Sequence, residues 1–374
     1  MNPTNDLECD SFTLVINDAM DKCIKCLSPR QRNNLVQLLT QLQIRRVHDG
    51  YNDSSIANML NNIGKYLEQS NLSQLSLHFY LEQLRIEEFH LGRLHPDLAD
   101  TFNSIGEVYA SDDQYFEAAE YFQAAIFLLK ANKKGGKLYS LVLYNAGLAQ
   151  YHQLLLADAM ENFNLSIKEK QNYLGKFHHN VAEMHLNVGK LLLEMGRIDA
   201  AMDNFLNALV IMRMNMGNSS TVSEILYYIG LTHRINDEQT EALNSFNQSL
   251  DIVNEHYDDD ICMVLILHKI GLTNQSMGDI DKAINTFEQI VNMVKDKVGE
   301  KHICVAVVLG LLRQFYTEQG MIEKSKEVTV EITAICLDTN KHNMYCSRNE
   351  FAEFVITLFG YIVEDNSASA AAAA

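Results

Sequence analysis

The chain has 374 residues, a formal net charge of −18, no Trp and three Pro. A surface that acidic repels phosphate backbones and anionic lipid, which argues against nucleic acid and membrane surfaces and favours basic partners. With 47% hydrophobic residues the sequence is too apolar for a disordered chain, and so few prolines leave room for long helices.

The seven cysteines (Cys9, Cys23, Cys26, Cys262, Cys304, Cys336, Cys346) are odd in number and mostly scattered. They fit thiols in a reducing, cytoplasmic setting better than a disulfide framework. The first twenty residues lack the basic start of a signal peptide. Leu138 to Ala157 carries no formal charge, but Ser140, Asn145, Gln150, His152 and Gln153 interrupt it, so it reads as a buried helix and its turn rather than a membrane span.

Residues 1–52 read as an N-terminal helical cap. Asp10 to Cys26 is one predicted helix. Ser28-Pro29 opens a second, running to about Val47, with Leu35, Leu38, Leu39, Leu42 and Val47 as its apolar face. From 53 to 337 a frame recurs. Glycines stand at 64, 106, 147, 189, 230 and 271, spaced by 41 or 42 residues, and Arg313 takes the next slot. Twelve positions after each comes Ser76, Ala118, Ala159, Ala201, Ala242, Ala283 or Ser325. Sixteen positions after comes Tyr80, Phe122, Phe163, Phe205, Phe246, Phe287 and then Thr329. A fixed period of this size marks a solenoid. Each unit reads as two helices joined by a tight turn such as Met277-Gly278-Asp279, and units must stack to bury their apolar faces. The units start near residues 53, 95, 137, 179, 220, 260 and 302, and Pro96 is placed as the first residue of a helix. Residues 338–374 read as a C-terminal cap, with an amphipathic helix from Asn349 to Ile362, and a small-residue tail from Ser367 to Ala374.

The frame resembles the tetratricopeptide (TPR) repeat, whose Gly, Ala and Phe slots fall at these offsets. The resemblance implies an all-α, right-handed α-solenoid, a superhelix of about seven TPR helix pairs with capping helices at both ends. Leu91-Gly92-Arg93-Leu94-His95-Pro96-Asp97, Asn61-Asn62-Ile63-Gly64 and Leu174-Gly175-Lys176-Phe177-His178 are similar to the longer repeat of kinesin light chains. That resemblance implies a concave face, lined by the first helix of each pair, that binds cargo peptides. It also implies that asparagines two positions before the glycine hold the peptide backbone. Here that slot reads Asn62, Ser104, Asn145, Asn187, Tyr228, Lys269 and Leu311. The heptad-rich region by which kinesin light chains join their motor has no counterpart in residues 1–52.

With the glycine as zero, slots −3, +1 and +4 should face the same surface. They contribute Asn103, Tyr144, Leu148, Tyr151, Lys190, Tyr227, Leu231 and Arg234, beside Asn62, Asn145 and Asn187. The middle of this groove is aliphatic and aromatic, as partner sites are. The competing reading is that another segment of the chain fills it. Asp100, Glu183 and Glu224 outnumber the groove's basic residues, so the expected ligand is a protein or peptide with apolar anchors and some Lys or Arg. The function expected is that of a non-enzymatic adaptor or scaffold. The alternatives are a structural subunit of a larger assembly, or a peptide-sensing regulator whose N-terminal helices respond to an occupied groove.

Other motifs read as structural. Cys23-Ile24-Lys25-Cys26 lacks two further zinc ligands and sits in a predicted helix. His178-His179 occupies a linker. Lys130, Lys133, Lys134 and Lys137 surround Gly135-Gly136 without P-loop spacing or a preceding strand, and read as a solvated, mobile loop. Asp258, Asp259 and Asp260 lack the alternating oxygen spacing of a calcium loop. No cofactor, metal or catalytic constellation is expected.

Overall fold

The computed structural model describes residues 27–50, 53–256 and 260–341, which form fifteen helices and no strand. The helices expected over 10–26 and 349–362, the Cys23/Cys26 pair, Asp258-Asp259 and the small-residue tail lie outside the described residues. Two compact units divide the chain at Lys176 and Phe177. The first holds α1 (Pro29–Asp49), α2 (Ser54–Glu68), α3 (Ser73–Leu91), α4 (Leu98–Ser111), α5 (Tyr115–Ala131), α6 (Lys137–His152) and α7 (Leu156–Leu174). The second holds α8 (His179–Glu194), α9 (Ile198–Met216), α10 (Ser220–Ile235), α11 (Gln239–His256), α12 (Asp260–Ser276), α13 (Ile280–Val298), α14 (Ile303–Glu318) and α15 (Ile322–Lys341). From α2 onward each two consecutive helices pack as a hairpin, three pairs in the first unit and four in the second.

Ser28 and Gln31 form a reciprocal capping box at the start of α1, with Pro29 as its first residue. Leu35 and Leu42 are buried with Ile56, Leu60 and Ile63 of α2, at about 2 kcal/mol of transfer free energy for each leucine. Tyr66 Oη donates to the Gln31 carbonyl at 2.9 Å, and the largely buried Arg46 reaches Glu82 of α3 at 3.2 Å. Val47, expected on the apolar face, is 80% exposed instead, because the helix turns it away from the side that buries Leu35, Leu42 and Arg46.

The glycine frame has a direct steric cause. An ideal Cβ on Gly106 would stand 2.5 Å from Cε1 of Phe122, and at Gly147 and Gly189 the distance to Phe163 and Phe205 would be 2.6 Å. The ring lies against bare backbone, and all of these rings are buried. In the first pair the ring is Tyr80, so a hydroxyl is buried too; it donates to Glu68 Oε2 at 2.7 Å. In the seventh pair Thr329 replaces the ring and Arg313 the glycine. A cavity of about 560 Å³ remains there, lined by Leu311, Arg313, Gln314, Thr317, Ser325 and Thr329.

Each pair turns through one residue in the left-handed region, seven positions after the glycine slot: Asn71, Asp113, Leu154, Gly196, Asp237, Gly278 and Gly320. The next residue's N–H reaches back five positions, as Leu155 does to the Gln150 carbonyl at 2.9 Å. This is the Schellman closure of a helix end, and it favours Gly or Asn. Seven before and nineteen after the glycine, small residues stand in both slots of the second to fifth pairs. Ser140 and Ser166 exchange hydroxyl-to-carbonyl hydrogen bonds at 3.0 and 2.6 Å, and Ser223 and Ser249 do so at 3.0 and 2.7 Å.

The linkers are held as well. His178 Nδ1 accepts from Asn180 N and His302 Nδ1 from Cys304 N, capping α8 and α14. Pro96 lies in the turn before α4 rather than inside it; Ala99 N donates to its carbonyl at 3.1 Å. The Gly135-Gly136 loop, expected to be mobile, is pinned. Gly136 N donates to Glu169 Oε1 at 2.6 Å, and Lys134 Nζ meets Asp97 Oδ1 at 2.7 Å, holding that carboxyl below its usual range.

Candidate functional site

First helices of successive pairs touch inside each unit, α4 with α6 and α8 with α10. The residues expected on the first-helix face are, in the first unit, Asn62, Asn103, Tyr144, Asn145, Leu148 and Tyr151, and in the second, Asn187, Lys190, Tyr227, Leu231 and Arg234.

In the first unit Asn145 is tied into the chain. Its Nδ2 donates to Asn103 Oδ1 at 3.0 Å and to Glu107 Oε1 at 2.9 Å, so both amide hydrogens are used and Oδ1 remains to accept from a ligand N–H. Asn103, expected on the open face, is only 3% exposed, as are the other buried −3 residues Leu186 and His268 at 4% and 5%. That slot lies against the neighbouring pair in those units, so Asn103 positions Asn145 rather than meeting solvent. Asn62 is exposed. Tyr144, Leu148 and Tyr151 are half-buried, with the Tyr144 ring 5.7 Å from that of Phe163. Burial pushes the Tyr144 hydroxyl above its ordinary range, so it stays a neutral donor. Burial also raises the Glu68 carboxyl, with the charge of Glu107 adding to it.

In the second unit Asn187 is exposed. Lys190 Nζ pairs with Glu224 Oε1 at 2.5 Å and stands 4.8 Å above the Tyr228 ring. Tyr227 lies edge-on to Tyr228 and 5.8 Å from Phe246, and Leu231 packs into the same cluster. Arg234 is half-buried at the far end of α10. Among the described residues no cluster of three or more His, Cys, Asp or Glu is placed to hold a metal ion, and no helix is long and apolar enough to cross a membrane.

Residues 265–293, most of the sixth pair, match the tetratricopeptide repeat family model. One unit thus matches the tetratricopeptide (TPR) repeat, and the helix pairs share the TPR fold. The seven TPR pairs recur every 41–42 residues along the chain. Two solved structures share the fold. BtubC (BKLC) from P. vanneervenii has a TM-score of 0.50 at 15% identity, over 60% of this chain and 90% of its own. The C-terminal part of a TPR repeat-containing protein from Cytophaga hutchinsonii has a TM-score of 0.53 at 14% identity, over 73% of this chain and 94% of its own. Among curated proteins, a clustered mitochondria protein homolog from Candida albicans is 22% identical over 209 residues, 56% of this chain. The match spans only 15% of that relative's length.

The fifth TPR pair carries an aromatic residue at the slot that holds asparagine in the first, third and fourth. Tyr228 stands there, and beside it α10, α11 and α12 leave a cavity of about 350 Å³ whose walls include Tyr227, Tyr228, Val253, Cys262 and Leu265, with Glu224 among the lining. In the third pair Leu138 occupies the slot that Cys262 holds here, and it packs against its neighbours. The smaller thiol is one reason that space stays open. Sequence reasoning placed Tyr227 and Glu224 on this face but not Tyr228 or Cys262. The signal for Tyr228 was an aromatic residue in the slot that carries asparagine in three of the four pairs before it.

Proposed function

We propose that this protein is a non-enzymatic interaction adaptor that holds a peptide or an extended protein segment against its first-helix surface. The observation that carries the reading is, in the first unit, the half-exposed Tyr144, Leu148 and Tyr151 with the exposed Asn62, and in the second the half-exposed Tyr227 and Leu231 with the exposed Asn187. Half-exposed aromatics next to unpaired amides suit a ligand that offers both side chains and backbone. The acidic balance of the chain favours basic residues in that ligand.

Affinity purification from native cells tests this, comparing wild type with Asn187→Ala/Tyr227→Ala and Tyr151→Ala. Partners retained by wild type and lost from the variants are expected. Identical partner sets from all three chains would overturn the reading.

One observation favours a structural-subunit role as a second reading. Leu206, Val210 and Met214, four residues apart on the outer side of α9, are all exposed. A fully monomeric native protein in size-exclusion chromatography with light scattering would remove that alternative.

A further inference from the structure

We propose that the cavity between α10 and α12 is an anchor subsite for an uncharged aromatic or branched aliphatic side chain whose neighbour in the ligand is Lys or Arg. This rests on the reading of the first-helix face as a peptide-binding surface. The space of about 350 Å³ equals that of roughly ten water molecules, enough for one large side chain. The rings of Tyr227 and Tyr228 with Val253, Leu265 and Ile266 supply its apolar wall, and Ser220, Thr221, Ser223 and Ser249 line it as well. Ser223 and Ser249 satisfy each other, so the apolar wall gains from displacing water at little polar cost.

The cation follows from the rim. Among the described residues, Glu224 is the one charged residue lining the cavity. Lys190 already engages its Oε1 and sits over the Tyr228 face, which shows that this corner accommodates an ammonium group. The Glu224 side chain is 45% exposed, so its carboxylate is open to a second donor from a ligand. The asparagine slot gives way to Tyr228, Lys269 and Leu311 from this pair onward. Recognition passes there from ligand backbone to ligand side chain.

The test pans a random twelve-residue peptide library on the full-length chain. Cys262→Trp, which fills the cavity, and Glu224→Gln are the variants, and circular dichroism verifies that each is folded. Should Cys262→Trp not fold, Cys262→Leu carries the residue that the third pair has in that slot. Wild type is expected to enrich peptides with an aromatic or aliphatic residue beside Lys or Arg. The selected peptide should bind about tenfold more weakly to Cys262→Trp, as loss of an anchor does. Glu224→Gln should keep the apolar preference and lose the basic one. The bound peptide should also slow alkylation of Cys262 by iodoacetamide, read by mass spectrometry. Selected peptides that bind Cys262→Trp as tightly as wild type, or leave Cys262 alkylation unchanged, overturn this inference; if Tyr151→Ala or Asn187→Ala still weakens them, the peptide-binding surface survives. No enrichment on wild type sinks both.

Discussion

The Cβ that Gly230 lacks would stand 2.6 Å from Cε1 of Phe246, a ring with no exposed surface. Alanine at 230 therefore requires the ring or the helix to move, and neither has room. Gly230→Ala is expected to destabilise the second unit by about 1–3 kcal/mol, the usual range for overpacking. A lower urea midpoint in circular dichroism reads it. Adding Phe246→Leu should recover part of the loss, because the clash and its relief belong to one contact.

Leu154 holds φ at 62°, and its side chain is 80% exposed. It contributes little packing and carries the strain of a left-handed residue with a Cβ. Leu154→Gly is expected to raise stability by about 1 kcal/mol despite the added freedom of the unfolded chain. A rise in melting temperature measures it. An unchanged or lower value would mean that Leu154 has a contact worth the strain.

Tyr80 makes the first unit sensitive to alkali. Burial first, then the hydrogen bond to Glu68, lifts its hydroxyl well above the ordinary tyrosine value of about 10. A group raised on folding contributes stability that is fully present below the unfolded value and is lost as pH climbs toward the folded one. Tyr80→Phe, the residue of the next five pairs, should differ from wild type by a constant amount up to about pH 9. Above pH 10 the wild type should lose stability relative to the variant. Denaturation curves from pH 7 to 11 give the comparison.

Asn145 and Asn187 occupy the same slot but should behave differently. Asn145 donates two hydrogen bonds inside the chain, and Asn187 is exposed. Asn145→Ala is expected to cost about 1–2 kcal/mol of stability, since net values near 1 kcal/mol per bond are common. Asn187→Ala should stay within about 0.5 kcal/mol of wild type. Any loss of partner binding by Asn187→Ala then reports on the ligand alone.

The pairing of helices was legible because Gly106 and Phe122 must lie against each other, and a steric requirement leaves residues at fixed spacing. The helix start at Pro29 was legible through the Ser28 cap, and those near 53 and 220 through the phase of the repeat. The turn at Leu154 was not: nothing about a leucine announces a positive φ, and only the phase of Gly196 and Gly278 seven positions past their slots could have pointed to it. The candidate face was legible by slot, but exposure within a slot was not. Asn61 and Asn103 share the −3 position, yet Asn103 is buried under Asn145 from the next pair. What decides that is the neighbour 42 residues away. The pinned Gly135-Gly136 loop has the same cause, since its holder Glu169 sits on the far side of the hairpin.

The seventh pair lacks the ring that fills every earlier hairpin. In a row of units held by nearest neighbours, the course with the weakest internal joint opens first. Unravelling of the second unit should thus begin from α14 and α15 and travel inward, so the missing ring sets the end from which this part of the chain comes apart.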